Sequence, residues 1–104
     1  MTDPRAEMLH SACEDEYALV EFPHARGTWG PALHELLSSG LISFLVAPSW
    51  PPRHDSLRPM AEEEAHIAID DAHSWDPERE GEIVVFTATV AGEAAHKERR
   101  FGPV

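Results

Sequence analysis

The sequence predicts a single α+β domain spanning residues 1–104, with a short antiparallel sheet and an acidic helix inserted between its strands. Three observations carry this prediction. Trp29, Leu33, Leu36 and Leu37 fall at i, i+4, i+7 and i+8, which is one face of a helix. Two apolar runs of strand length, 41–47 and 83–87, are bounded by turn residues. Between them, Glu62, Glu63 and Glu64 open a run whose alanines and isoleucines have helical spacing.

Residues 1–14 are polar, and one or two helical turns around Met8 and Leu9 are expected in an otherwise flexible N-terminal segment. The run 15–22 contains Tyr17, Leu19, Val20 and Phe22. Its composition suits a strand, and its Asp15 and Glu16 suit the positive end of a helix; we take it as a helix. A turn at 23–27 leads to the helix 28–39, with Thr28 as its cap and Pro31 in its first turn. Gly40 suits the left-handed position that closes a helix. The strand 41–47 then places Ile42, Phe44 and Val46 on one face.

Pro48, Pro51, Pro52 and Pro59 make 48–59 a stiff, exposed loop. The helix 61–71 has Ala65, Ile67, Ala68 and Ile69 as its apolar side. Trp75 anchors the turn before Pro77, and a charged hairpin-like connection leads to the strand 83–87. Thr89 caps the final helix, 89–99, which contains Ala91, Ala94 and Ala95.

Composition limits function. Nineteen acidic residues against eight basic ones give a net charge of −11. Nucleic-acid binding depends on neutralising phosphates with Lys and Arg, so this balance argues against it and suits a basic protein partner or simply solubility. Cys13 is the only cysteine, so an intrachain disulfide is excluded. The first residues lack a basic stretch followed by an apolar run, and no apolar run has membrane-spanning length. A cytoplasmic protein is expected, with no membrane contact.

Phe86-Thr-Ala-Thr89-Val-Ala-Gly92-Glu-Ala-Ala resembles the strand-to-helix junction of winged-helix proteins: an aromatic strand residue, a Thr cap, two residues, a Gly and an alanine-rich helix. The helix ending Leu36-Leu37-Ser-Ser-Gly40-Leu41-Ile42 is similar to the other half of that signature, where a recognition-type helix closes on Gly and enters the first wing strand. The run 29–95 is also similar to a group of small actinobacterial proteins of unknown function. The resemblance implies a winged-helix-like domain, in which the acidic helix would be inserted into the wing. The chain departs from the DNA-binding members in its recognition position: the helix 29–39 offers only His34 beside Glu35, where base readout favours Arg, Lys, Asn or Gln.

His66, Asp70 and His73 lie at i, i+4 and i+7 and would share a face able to hold a divalent metal if the helix ran that far; a solvated face is the plainer reading. His10 and Cys13 make a weaker pair of the same kind. Cys13, beside Glu14, Asp15 and Glu16, is a poor nucleophile because negative neighbours raise a thiol's pKa. The six glycines are dispersed, so no phosphate-cradling loop is present. Neither an enzyme nor a cofactor is expected.

Trp50 sits in a Pro-rich loop where a large aromatic is hard to bury unless it folds back as a lid over the wing hairpin, and Trp is enriched at binding hot spots. Residues 62–82 hold nine carboxylates against Arg79 alone; a solvated face is the plainer reading, and a docking surface for a basic partner is the sharper one. The expected function is therefore a small, acidic, non-enzymatic protein-binding module, regulatory or inhibitory, in the manner of an immunity protein or a nucleic-acid mimic. Its contact surface would comprise Trp50, Arg53, Glu62, Glu63, Glu64, Asp70 and Asp71. The alternatives are a winged-helix transcription regulator using Arg26 and the helix 28–39, and a metal-binding protein using His66, Asp70 and His73.

Overall fold

The computed structural model describes residues 3–48 and 57–103, which form four α-helices and a four-stranded antiparallel sheet. Helix α1, Pro4–Glu14, is longer than the one or two turns expected. Asp3 accepts the Arg5 N–H at 2.9 Å, and Pro4 occupies the first turn, where a missing N–H costs nothing. Ala6, Met8, Leu9 and Ala12 are buried, so α1 belongs to the core.

The expected helix at 15–22 does not form. Tyr17–Ala18 is a short strand, β1, which pairs with the penultimate element of the fold, and Leu19–Glu21 is a 3-10 turn. The Glu21 carboxylate accepts the Ala18 N–H at 2.9 Å, so that amide is held by a side chain instead of a helical carbonyl. Cross-strand pairing, a tertiary effect, outweighs local helical preference here.

Helix α2, Arg26–Ser38, begins two residues before the expected cap Thr28. Ala25 starts it, with its carbonyl accepting from the amides of Thr28 and Trp29. Pro31 therefore lies inside the helix and removes the bond to the Gly27 carbonyl; both residues are exposed, so water can replace it. Leu33, Leu36 and Leu37 are buried as their spacing predicts, while Trp29 is half-buried edge-on to Phe22. Gly40 closes α2 at φ 73°, with Gly40 N–H to Leu37 O and Leu41 N–H to Leu36 O, both 3.0 Å. This is the Schellman arrangement, which satisfies the last carbonyls of a helix.

Strand β2, Ile42–Ala47, runs beside β4, Ile83–Ala88, from Ile42 opposite Ala88 to Ala47 opposite Ile83. Arg58–Pro59 forms β3 on the outer edge of β2, and the sheet order is β1-β4-β2-β3. Ile42, Phe44, Val84 and Phe86 face the main core with the helices. Ala18, Ala47, Ile83 and Val85 form a smaller cluster with Val20, Leu45 and Leu57.

Helix α3, Glu62–Asp70, is followed by a 3-10 turn, Ala72–Trp75, in which buried Trp75 donates its indole N–H to Ile69 O at 2.9 Å. Helix α4, Val90–Lys97, is capped by Thr89. The Thr89 hydroxyl accepts the Gly92 N–H at 3.0 Å and donates to Gly40 O at 2.7 Å, while the Thr89 amide donates to Leu41 O at 3.1 Å. Gly92 lies so close to this turn that an added Cβ would stand 1.9 Å from Leu41 O. The Thr-x-x-Gly spacing thus fastens the start of α4 to the α2–β2 turn. Among the described residues, no helix is long and apolar enough to cross a membrane.

Candidate functional site

Helix α3 packs one side against α2. Ala65, Ala68 and Ile69 are buried, and buried Gly30 of α2 faces Ile69, whose Cγ2 lies 3.7 Å from where a Cβ would stand, an ordinary van der Waals contact. Glu62, Glu63 and Glu64 fill the first turn of α3, where the positive end of the helix dipole stabilises them without a side-chain cap.

Ile67 was expected on the apolar side and is instead 71% exposed; among the described residues, only Val90 is a comparably exposed large apolar side chain. The cause is geometric. Ala65, Ala68 and Ile69 define the buried stripe, and position 67 lies between them on the opposite side of a helix with 3.6 residues per turn. Its neighbours at i−4, i−3, i+3 and i+4 are Glu63, Glu64, Asp70 and Asp71, all exposed carboxylates. Glu63 and Glu64 have no basic partner among the described residues. Asp71 accepts the His73 N–H at 3.0 Å and starts the next turn. An apolar side chain enclosed by acids is the outcome.

A polar cluster holds α3 in place. The imidazoles of His34 on α2 and His66 on α3 stack with centroids 4.8 Å apart and planes 12° from parallel. Their Nδ1 atoms are 2.6 Å apart, within hydrogen-bonding distance. His34 Nε2 donates to Asp70 Oδ1 at 2.7 Å, since the carboxylate can only accept. His66 Nε2 lies 3.3 Å from Ser38 Oγ and 3.5 Å from Glu62 Oε1. The order Asp70, His34, His66, Ser38 resembles an orienter–base–nucleophile chain. However, the amides beside Ser38 are spent on the closing turn of α2, where Ser39 N–H bonds Glu35 O and Gly40 N–H bonds Leu37 O. Those two amides are therefore not free to face Ser38 Oγ, and the side-chain contacts of the cluster tie α2 to α3.

The remaining candidates separate. Helix α3 ends at Asp70 and the backbone turns extended at Asp71, so His73 leaves the face on which it was expected with His66 and Asp70. Among the described residues, no three His, Cys, Asp or Glu side chains gather to hold a metal ion. Arg26, a candidate in the transcription-regulator alternative, gives its guanidinium to the Asp70 carbonyl at 2.6 Å, the end of α3 that attracts cations. Trp50 and Arg53 lie outside the described residues. The Cys13 thiol is pushed above its ordinary range by burial first and by the Glu93 carboxylate second. Glu14, Asp15 and Glu16, the neighbours expected to raise it, are not the cause.

Sequence reasoning missed His34 as a partner of His66 and Asp70, because they lie 32 and 36 positions apart on different helices. The signal available was weak: a histidine half a turn from Leu36 and one turn from Ser38. It missed Ile67 as an exposed side chain because an isoleucine in an alanine-rich helix reads as core. No protein-family model, curated protein or solved structure matches the chain, so its own geometry carries the functional argument.

Proposed function

We propose that this chain is a small acidic, non-enzymatic protein-binding module, regulatory or inhibitory, that docks on a basic protein partner through the outer face of α3. The observation that carries this reading is Ile67, exposed and ringed by Glu63, Glu64, Asp70 and Asp71. An apolar anchor inside a charged rim is the arrangement of a binding hot spot. The anchor supplies affinity when it is desolvated, and the rim sets the encounter rate and the sign of the partner's charge. A net charge of −11 extends the same field over the whole molecule.

The scaffold we propose for it is winged-helix-like, with α3 as an acidic insertion between wing strands β2 and β4. Closure of α2 on Gly40 into β2, the antiparallel pairing of β2 with β4, and the Thr89–Gly92 junction support that reading. Engagement of Arg26 with Asp70 O weighs against a DNA-reading α2.

Photo-crosslinking tests the docking face. A benzophenone side chain placed at position 67 should capture a basic protein from native lysate, and the same group at exposed Val90 should not. Ile67→Asp, or the pair Glu63→Lys and Glu64→Lys, should remove the partner from a pull-down. Equal capture from positions 67 and 90, or a partner retained by Ile67→Asp, would sink the proposal.

A further inference from the structure

Between α1, the end of α4 and the segment 98–103 lies a cleft of about 400 Å³. Buried Ala6, Leu9 and Ala95 form its floor. His10, His96, Lys97, Arg99 and Arg100 stand around it. Lys97, Arg99 and Arg100 are three of only eight lysines and arginines in a strongly acidic chain. A fourth, Arg5, lies 4.6 Å from the centroid of Phe101, which also lines the cleft, and is paired with Asp3 and Glu35. Lys97 and Arg99 have no ion pair among the described residues. The opposing carboxylates are Glu98, 3.6 Å from Arg100, and Glu14, paired with His10.

Basic residues at the end of a helix have an ordinary explanation in the helix dipole. Arg99 does not fit it. Its φ of 54° makes it the one non-glycine residue with positive φ among those described. Arg99 N–H bonds His96 O at 3.0 Å and Arg100 N–H bonds Ala95 O at 3.1 Å, the same Schellman closure that α2 makes with Gly40. The backbone therefore already satisfies the last carbonyls of α4, and glycine is the unstrained residue at position 99. An arginine held there against its backbone preference, beside an unpaired lysine and a cleft, indicates a use for its guanidinium outside the turn.

We propose that this cleft binds a small phosphomonoester, with its phosphate on Lys97, Arg99 and Arg100 and its organic body against Leu9, Ala95 and Phe101. A cleft of this volume falls within the range of small-molecule sites. Charge selects the head group: a phosphomonoester dianion matches several adjoining cations better than a single carboxylate does. His96 Nε2 faces His10 Nδ1 at 3.4 Å and His10 Nε2 is paired with Glu14, so of the two imidazoles His96 Nδ1 is the atom that can hydrogen-bond a ligand at this mouth. This site is independent of the α3 docking face, and either can fail without the other.

Calorimetric titration with phenyl phosphate, inorganic phosphate and benzoate provides the test. Phenyl phosphate should bind saturably with a Kd of about 1 mM or below, and benzoate about tenfold more weakly. Inorganic phosphate, lacking the body, should also bind more weakly than phenyl phosphate. Arg99→Gly should weaken phenyl phosphate binding about tenfold or more while raising the urea midpoint. Arg99→Asn, which tolerates the left-handed backbone, should show the same loss of binding on an intact fold. Absence of saturable binding, an Arg99→Gly or Arg99→Asn protein that binds as wild type, benzoate binding equal to phenyl phosphate, or an Arg99→Gly protein of lower stability would each overturn the proposal.

Discussion

Replacing Gly92 by alanine should destabilise the fold, although the same change in an open helix stabilises it. On the present backbone the new Cβ would sit 1.9 Å from Leu41 O, 2.9 Å from Leu41 C and 3.3 Å from Leu9 Cδ1. An ordinary carbon–oxygen contact is about 3.3 Å, so α4 must retreat from the α2–β2 turn by about 1.4 Å. The obstacle is backbone, which no rotamer change can move. Retreat would break the Thr89 amide bond to Leu41 O and the Thr89 hydroxyl bond to Gly40 O, at about 1 kcal/mol each. The gap that the retreat opens between Ala95 and the core adds about 2 kcal/mol, and the better helix propensity of alanine returns about 1 kcal/mol. The net expectation is a loss of about 3 kcal/mol, which lowers the urea midpoint by roughly 2 M for a domain of this size. Urea titration followed by circular dichroism measures it, with Gly27→Ala as control. Gly27 is helical, and a Cβ there meets nothing within 4 Å, so that variant should be unchanged or slightly more stable. A Gly92→Ala protein as stable as wild type would refute the close approach on which the junction depends.

The other predictions concern the clamps. Thr89→Val keeps the volume and removes both hydroxyl bonds, so it should cost about 1–2 kcal/mol in the same titration; a loss below a few tenths would contradict its double role. A double-mutant cycle of His34→Ala and His66→Ala should give a coupling of about 1 kcal/mol, because each imidazole holds the other between α2 and α3; additive losses would show that they act separately. The Asp3 carboxyl is held below its ordinary 3.8, chiefly by the side-chain hydrogen bond from Arg5. A lowered folded pKa means that its contribution is complete above the unfolded value and is lost as pH falls through the lower folded one. Asp3→Asn should therefore flatten the acid limb of the midpoint-against-pH curve in that window, and an unchanged limb would discount the pair.

The parts of the fold that were legible in the sequence are those set by local chemistry. Gly40 and Thr89–Gly92 mark a helix end and a helix start because a left-handed turn and a capping hydroxyl need particular residues. The spacing of Leu33, Leu36 and Leu37 marks the buried side of α2 for the same reason. Elements defined by distant partners were harder to read. Residues 17–18 become a strand only because Phe86 and Val85 lie opposite them. Helix α1 hides its core role because alanines at positions 6 and 12 do part of the burying, which gives little apolar contrast along the sequence. The site divides in the same way. The acids of α3 were visible as a run, but Ile67 as their centre, His34 as a clamp and Arg99 as a strained residue all require three dimensions. Each depends on which side of a helix faces the core or on what backbone angle closes it.

Whether Ile67 anchors the proposed docking face is decided by the affinity of the crosslinked partner for wild type and for Ile67→Ala. Burial of the isoleucine side chain should make truncation cost about 2 kcal/mol, or roughly thirtyfold in Kd, at both low and moderate salt. Glu63→Gln with Glu64→Gln should instead slow association mainly at low salt, as rim charges do. If Ile67→Ala binds the partner as tightly as wild type, the docking face is not on α3.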